Sequence, residues 1–237
     1  MTTLFVHGFN YDPESKGRAN AENYTYPRWR EMLAIEEAHH HNWFSVPLTL
    51  ANIVRAVLHG RWNRYRWAWD LARDEGLKLA NVLRAFPEPA DIVCHSLGSR
   101  VVLRALELGA PAARVLILNG AEYADTAAIV AHWRRKVEFF AVVVKEDDVL
   151  NKLGRAAPGW GARFVGNTPL GLRAPPNWTG LPLDDPIFQG TMKTLYGWNV
   201  AGDNPESVGD HWFSFENPNN WALYRAIFDR SWPKEGT

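Results

Sequence analysis

Residues Asp91 to Gly109 read DIVCHSLGSRVVLRALELG, and the fold is decided in this stretch. Ile92 and Val93 open a short apolar run suited to a strand buried in a parallel sheet. Cys94-His95-Ser96-Leu97-Gly98 follows as a sharp turn. Val101, Val102, Ala105, Leu106 and Leu108 then recur with helical spacing, and Gly109 and Pro111 stop the helix. A strand, a tight turn around a central serine and a helix together lift that serine above the carboxyl edge of a sheet. The usual turn is Gly-x-Ser-x-Gly. Here Cys94 takes the first glycine's place, where the backbones crowd and only a small side chain fits, and Gly98 keeps the second.

Working outward, Thr3–His7 predicts a strand that runs straight into Gly8-Phe9-Asn10. A polar loop over Tyr11–Tyr26 precedes a helix expected at about Pro27–His40, and Trp43–Val46 is a short strand candidate. Pro47–Trp69 is less regular and rich in Arg and Trp; Asp70–Phe86 has helical spacing, broken by Pro87-Glu88-Pro89. Beyond the central stretch come a strand at Arg114–Leu118, a helix around Thr126–Lys136 and an apolar strand at Val137–Lys145. Strand candidates at Arg163–Val165 and Thr194–Val200 lie in or beside a Gly-, Pro- and Trp-rich region. A last helix starts at Asn217-Pro218, a cap followed by proline at the first helical position, and runs to about Phe228. Strands alternating with helices predict an α/β fold: a mainly parallel central sheet with helices on both faces. Functional residues of such sheets sit at the carboxyl ends of the strands. His7, Ser96, Asn119, Asp147 and His211 all fall at or near such ends.

Composition narrows the partners. At 237 residues the chain reads as a single domain over 1–237, with aromatic-rich rim or lid segments at about 47–69 and 155–205. Lys and Arg number 26 against 26 Asp and Glu, so no net field recruits nucleic acid or an anionic membrane. An Arg cluster over Arg55–Arg66 matches no nucleic-acid-binding motif. One cysteine excludes an internal disulfide and suits a reducing, cytoplasmic compartment. The first ten residues hold no basic region or apolar run of the kind that signals export or a membrane span. Twelve tryptophans suit either an aromatic core or the rim of a pocket for apolar groups.

A serine hydroxyl becomes a useful nucleophile when a base takes its proton, and the base needs an orienting acid. Of eight histidines, His7 and His95 are built into the two turns. His39, His40 and His41, if helical, splay about 100° apart, and spacing suggests no partner for His59 or His132. His211 remains, in the loop Val208-Gly209-Asp210-His211-Trp212. The acid is expected after the strand ending at Lys145. Asp147 is preferred, with Val149 and Leu150 as an apolar anchor behind it; Asp148 is the alternative, and Asp203 and Asp210 lie further out. An oxyanion needs fixed N–H donors. Leu97 N–H offers one by its place after the serine, and Phe9 N–H the other. Asn10, His95, Trp62, Trp67 and Trp212 are candidate substrate contacts.

These motifs resemble the serine hydrolases of the alpha/beta-hydrolase superfamily, in a compact lipase- or esterase-like form, over nearly the whole chain. His7-Gly8-Phe9 resembles the oxyanion turn, Cys94–Gly98 the nucleophile elbow, and Asp147 and His211 the acid and base in Ser–Asp–His order. The oxyanion strand is first here where the family has it third, so the resemblance implies a reduced fold lacking the leading hairpin. It implies cleavage of a small-molecule acyl ester through an acyl-enzyme on Ser96, with no metal and no organic cofactor. A thioesterase, an amidase or an acyltransferase uses the same machinery. A non-catalytic ligand-binding protein on this fold is the rival from another class.

Overall fold

The computed structural model describes residues 2–9, 20–43, 50–153, 163–202 and 211–232, and within the long helix it describes side chains from Trp67 onward. Six strands form one parallel sheet: β1 (Thr3–Val6), β2 (His39–His41), β3 (Asp91–His95), β4 (Arg114–Leu118), β5 (Glu138–Val143) and β6 (Trp178–Pro182). Their spatial order is β2-β1-β3-β4-β5-β6. The helices are α1 (Tyr26–Leu33), α2 (Leu50–Ala85), α3 (Gly98–Glu107), α4 (Ala124–Trp133), α5 (Asp148–Leu153), α6 (Pro186–Tyr196), α7 (Phe213–Glu216) and α8 (Trp221–Phe228).

The inner strands are apolar at nearly every position because both faces of the sheet are covered. Leu4, Val6, Ile92, Cys94, Val115, Ile117, Phe139 and Ala141 face one layer, which also takes Leu79 and Leu83 of α2, Val101 and Val102 of α3, and Val130 of α4. The alternate residues Phe5, Val93, Leu116, Leu118, Phe140 and Val142 face the other, against Trp29 and Met32 of α1 and Leu223, Tyr224 and Ile227 of α8. This is the expected α/β architecture. Among the described residues no helix is long and apolar enough to cross a membrane.

Several boundaries differ from the sequence reading. The helix expected to reach His40 ends at Leu33, where Ala34 turns left-handed (φ 54°) and donates its N–H to the Arg30 and Glu31 carbonyls. The chain is thereby released to form β2 from the His triplet, which lies on a strand and pairs with β1 in the register Leu4↔His39 and Val6↔His41. Of the strand candidate at Trp43–Val46, residues 44–46 lie outside the described residues. The Arg- and Trp-rich segment from Leu50 onward is continuous with the helix that follows, because no proline interrupts Leu50–Ala85. Arg163–Val165 makes only a single bridge, Tyr123↔Phe164. Thr194–Tyr196 is the end of α6, and the sixth strand is Trp178–Pro182, which the sequence reading missed.

Between β1 and β3 the strand order reverses, the switch point at which open parallel sheets form a crevice above the carboxyl ends of their strands. Val6 pairs with Cys94, so the residues that follow each strand, His7 and His95, begin two neighbouring turns. A side chain at Gly98 would place its Cβ 2.4 Å from the His7 carbonyl oxygen and 2.6 Å from that of Val6. Both contacts are backbone and cannot swing aside. Gly98→Ala is therefore expected to cost about 1–3 kcal/mol. Gly180→Ala, where nothing lies within 4 Å, should stay within about 0.5 kcal/mol of the parent. Urea unfolding of the two variants checks the contrast.

Candidate active site

Ser96 follows β3 with φ +52°, a conformation that non-glycine residues adopt only when the surroundings enforce it. Its N–H donates to the Leu118 carbonyl at 3.0 Å; its own carbonyl accepts from Ala121 N–H at 2.9 Å and from the Ser99 hydroxyl at 2.7 Å. The serine is thus pinned from both sides as strand turns into helix. Leu97 N–H, at the start of α3, has no acceptor among the described residues. Gly8 faces this turn: a Cβ there would lie 2.8 Å from the Ser96 Cβ, so only glycine lets the two turns meet. Phe9 is partly buried against the apolar layer.

Above β5 the acid is built. Asp147, fully buried, accepts on Oδ2 from His211 Nδ1–H at 2.6 Å and from the Asn119 amide at 2.9 Å, and on Oδ1 from Leu150 N–H at 2.9 Å. Burial alone would raise this carboxyl; the His211 charge and these hydrogen bonds outweigh it and hold the carboxyl below its ordinary range. Asp148 is exposed and paired with Lys152 at 2.6 Å on the first turn of α5. His211 is itself buried, and its Nε2 has no hydrogen-bond partner among the described residues. The Ser96 hydroxyl likewise makes no hydrogen bond to a described residue, so no hydrogen bond joins it to His211.

Asn119 was noted in the sequence only as a strand-end residue, and its part is larger. At the end of β4 it sits at φ +45°, a region that asparagine tolerates. Its amide NH2 must face the carboxylate, which only accepts, and its amide oxygen takes the Ser214 hydroxyl. The Ser214 carbonyl in turn accepts from Tyr224 Oη and Asn220 Nδ2, each at 2.9 Å. No short-range signal could have linked Asn119 to Ser214 across 95 positions of sequence.

The other histidines are engaged elsewhere. His95 donates from Nε2 to the His211 carbonyl at 3.3 Å, and the two rings lie 4.6 Å apart. Burial pushes the His95 imidazole well below its ordinary value, and the neighbouring His211 adds to this. His7 donates from Nδ1 to the Gly8 carbonyl at 2.7 Å, accepts Trp43 N–H on Nε2 at 3.2 Å, and stacks on the Trp43 ring. His40 pairs with Glu22 at 3.0 Å. Among the described residues no group of three or more His, Cys, Asp or Glu is arranged to hold a metal ion. The Trp212 ring meets that of His211 edge-on at 5.3 Å. Trp67 is partly buried against the α2–α3 side of the core. Asn10 and the Trp62 side chain lie outside the described residues. Comparison with protein-family models, curated proteins and solved structures finds no match.

Burial pushes the His7 imidazole down from 6.5 to about 4, against the Gly8 carbonyl that favours its charge. The folded chain binds this proton more weakly than the unfolded chain. Stability from His7 is therefore full above pH 6.5 and is lost as pH falls toward 4. A shift of this size corresponds to about 3 kcal/mol. His7→Gln should be less stable at neutral pH and should lose a comparable part of the acid-side slope, measured as the urea midpoint against pH.

Proposed function

We propose that this chain is a serine hydrolase of the alpha/beta-hydrolase type that cleaves a small-molecule carboxylic ester. The observation that carries the reading is the buried Asp147–His211 pair, 2.6 Å apart, whose outer nitrogen Nε2 has no hydrogen-bond partner among the described residues. A carboxylate fixed on Nδ1–H holds the imidazole in the tautomer whose Nε2 accepts a proton. Ser96, held left-handed at the tip of the neighbouring turn, is the group to supply that proton. Serine–histidine hydrogen bonds commonly tighten only once substrate is bound.

In the proposed reaction, Ser96 Oγ attacks the ester carbonyl while His211 Nε2 takes its proton. The carbonyl oxygen becomes an oxyanion held by the N–H groups of Leu97 and Phe9, the first favoured further by its place at the start of α3. The protonated His211 gives its proton to the departing alcohol, and an acyl-enzyme remains. Water then repeats the sequence, losing a proton to His211 as it attacks, and Ser96 is restored as the acid leaves. Asp147 stabilises the imidazolium in both halves. His95 holds the backbone of His211 in place. Trp212, edge-on to the base, and the helix carrying Trp62 and Trp67 are assigned to the walls of the acyl pocket. The lone cysteine, Cys94, lies buried in β3 and suits a cytoplasmic setting.

A fluorophosphonate probe followed by mass spectrometry should find its adduct on Ser96. Turnover of a panel of acyl esters should fall by about 10⁴-fold or more in Ser96→Ala. Asp147→Asn should lower kcat by a similar order, while Asp148→Asn leaves it within a few-fold. An adduct on another serine, or unchanged turnover in Ser96→Ala, overturns the reading.

A further inference from the structure

Where α2, α3 and the start of α4 meet, a groove of about 280 Å³ is lined by Arg73, Arg100, Arg104, Glu107, Glu122 and Thr126. We propose that this groove binds a small multivalent oxyanion, the phosphate group of a small metabolite, at a site separate from the Ser96 crevice.

Glu122 is buried, and both of its carboxylate oxygens are engaged: Oε2 takes Arg100 at 2.7 Å, and Oε1 takes Tyr123 N–H at 2.7 Å. Glu107 takes Arg104 at 2.5 Å. The donors outnumber these acceptors. A guanidinium carries five N–H groups, and Arg100 uses one on Glu122 and one on the Trp69 carbonyl at 2.9 Å. Arg104 is bonded through a single terminal nitrogen, and its other terminal nitrogen has no acceptor among the described residues on a side chain that is one quarter exposed. Arg73 is exposed on α2 and enters no ion pair with a described residue. Three cations face two anions, and the ligand that completes such a set is rich in acceptor oxygens and negatively charged.

The site is also fixed in place. The Arg100 guanidinium lies 4.1 Å above the Trp69 ring, tied at the same time to a carbonyl and a carboxylate. Gly76 lets α2 approach α3 so closely that a Cβ there would sit 2.6 Å from the Arg104 Cβ, and Arg73 stands one turn earlier on that helix. The Arg100 guanidinium, already immobilised, loses little freedom on binding, and guanidinium forks suit phosphate oxygens. The groove's volume admits a small metabolite.

Isothermal titration calorimetry of the full chain at constant low ionic strength tests the proposal, with inorganic phosphate, pyrophosphate and succinate as probes and chloride as the reference salt. Saturable binding at one site is expected, tighter for pyrophosphate than for succinate. Arg73→Gln and Arg104→Gln should each weaken it about tenfold, while Arg135→Gln, an exposed arginine elsewhere, leaves it unchanged. Arg73 is on the surface, so its variant reads out even if Arg104→Gln folds poorly. Absence of saturable heat, equal affinity in Arg73→Gln, equal weakening by Arg135→Gln, or a preference for succinate overturns the proposal. Phosphate binding is measured with the Ser96→Ala variant as well. Its persistence there separates this site from the proposed ester chemistry, and its loss overturns the proposed separateness.

Discussion

The backbone at Gly98 lies so close to the carbonyls of Val6 and His7 that no side chain fits between them. That contact fastens the first turn of α3 to the end of β1, which runs beside β3 where the sheet reverses its order. Ser96 and Gly8 are brought to the same point from different parts of the chain. Neither position tolerates ordinary packing: Ser96 is held at positive φ, and a Cβ at Gly8 would strike Ser96. Strain and crowding of this kind persist only where surrounding structure over-determines them. Here the determinants are the two apolar layers, which seal β1, β3 and β4 on both faces and leave the turns no freedom to relax.

A second constraint is electrostatic. A carboxylate removed from water costs several kcal/mol unless its oxygens are met by donors. Asp147 meets this with three, drawn from α5, from the end of β4 and from the loop before α7. The same arrangement that makes burial tolerable also fixes the His211 ring. Asn119 matters to both because it sits between the carboxylate and Ser214, and Ser214 is tied by its carbonyl to α8 through Tyr224. The acid is thereby referenced to both sides of the sheet.

How much of this could be read in advance depended on where each signal lay. The strands Asp91–His95 and Arg114–Leu118 and the helix between them were legible because apolar spacing, turn and stop residues all agree locally. The His triplet was misread because nothing about three histidines favours a strand; the hydrogen bonds of β1 impose it. Trp178–Pro182 was missed because an edge strand has one covered margin, and Thr179 and Gly180 break its apolar pattern. The helix Pro186–Tyr196 was an avoidable miss. Asp185 caps it by accepting from Ile187 and Phe188, Pro186 opens it and Gly197 closes it in a left-handed turn, all visible as residue types. Asp147 was preferred to Asp148 on the apolar anchor behind it, and Leu150 is indeed buried with its N–H on the Asp147 carboxylate while Asp148 meets Lys152 at the surface.

Three histidines crowd the crevice, and their hydrogen bonds distinguish them more sharply than their positions do. His7 has both ring nitrogens occupied, one by the Gly8 carbonyl and one by Trp43 N–H, so a second proton on Nε2 would point at another donor. His95 commits Nε2–H to the His211 carbonyl and is buried among rings, which leaves its charged form unfavourable. His211 alone of the three has a carboxylate on one nitrogen and, on the other, no hydrogen-bond partner among the described residues. A base must be able both to take a proton and to tolerate the charge that results. Burial denies the second to His7 and His95. Of the three, His211 is the one with a buried carboxylate against its ring, and the proposed role of a base depends on that contact.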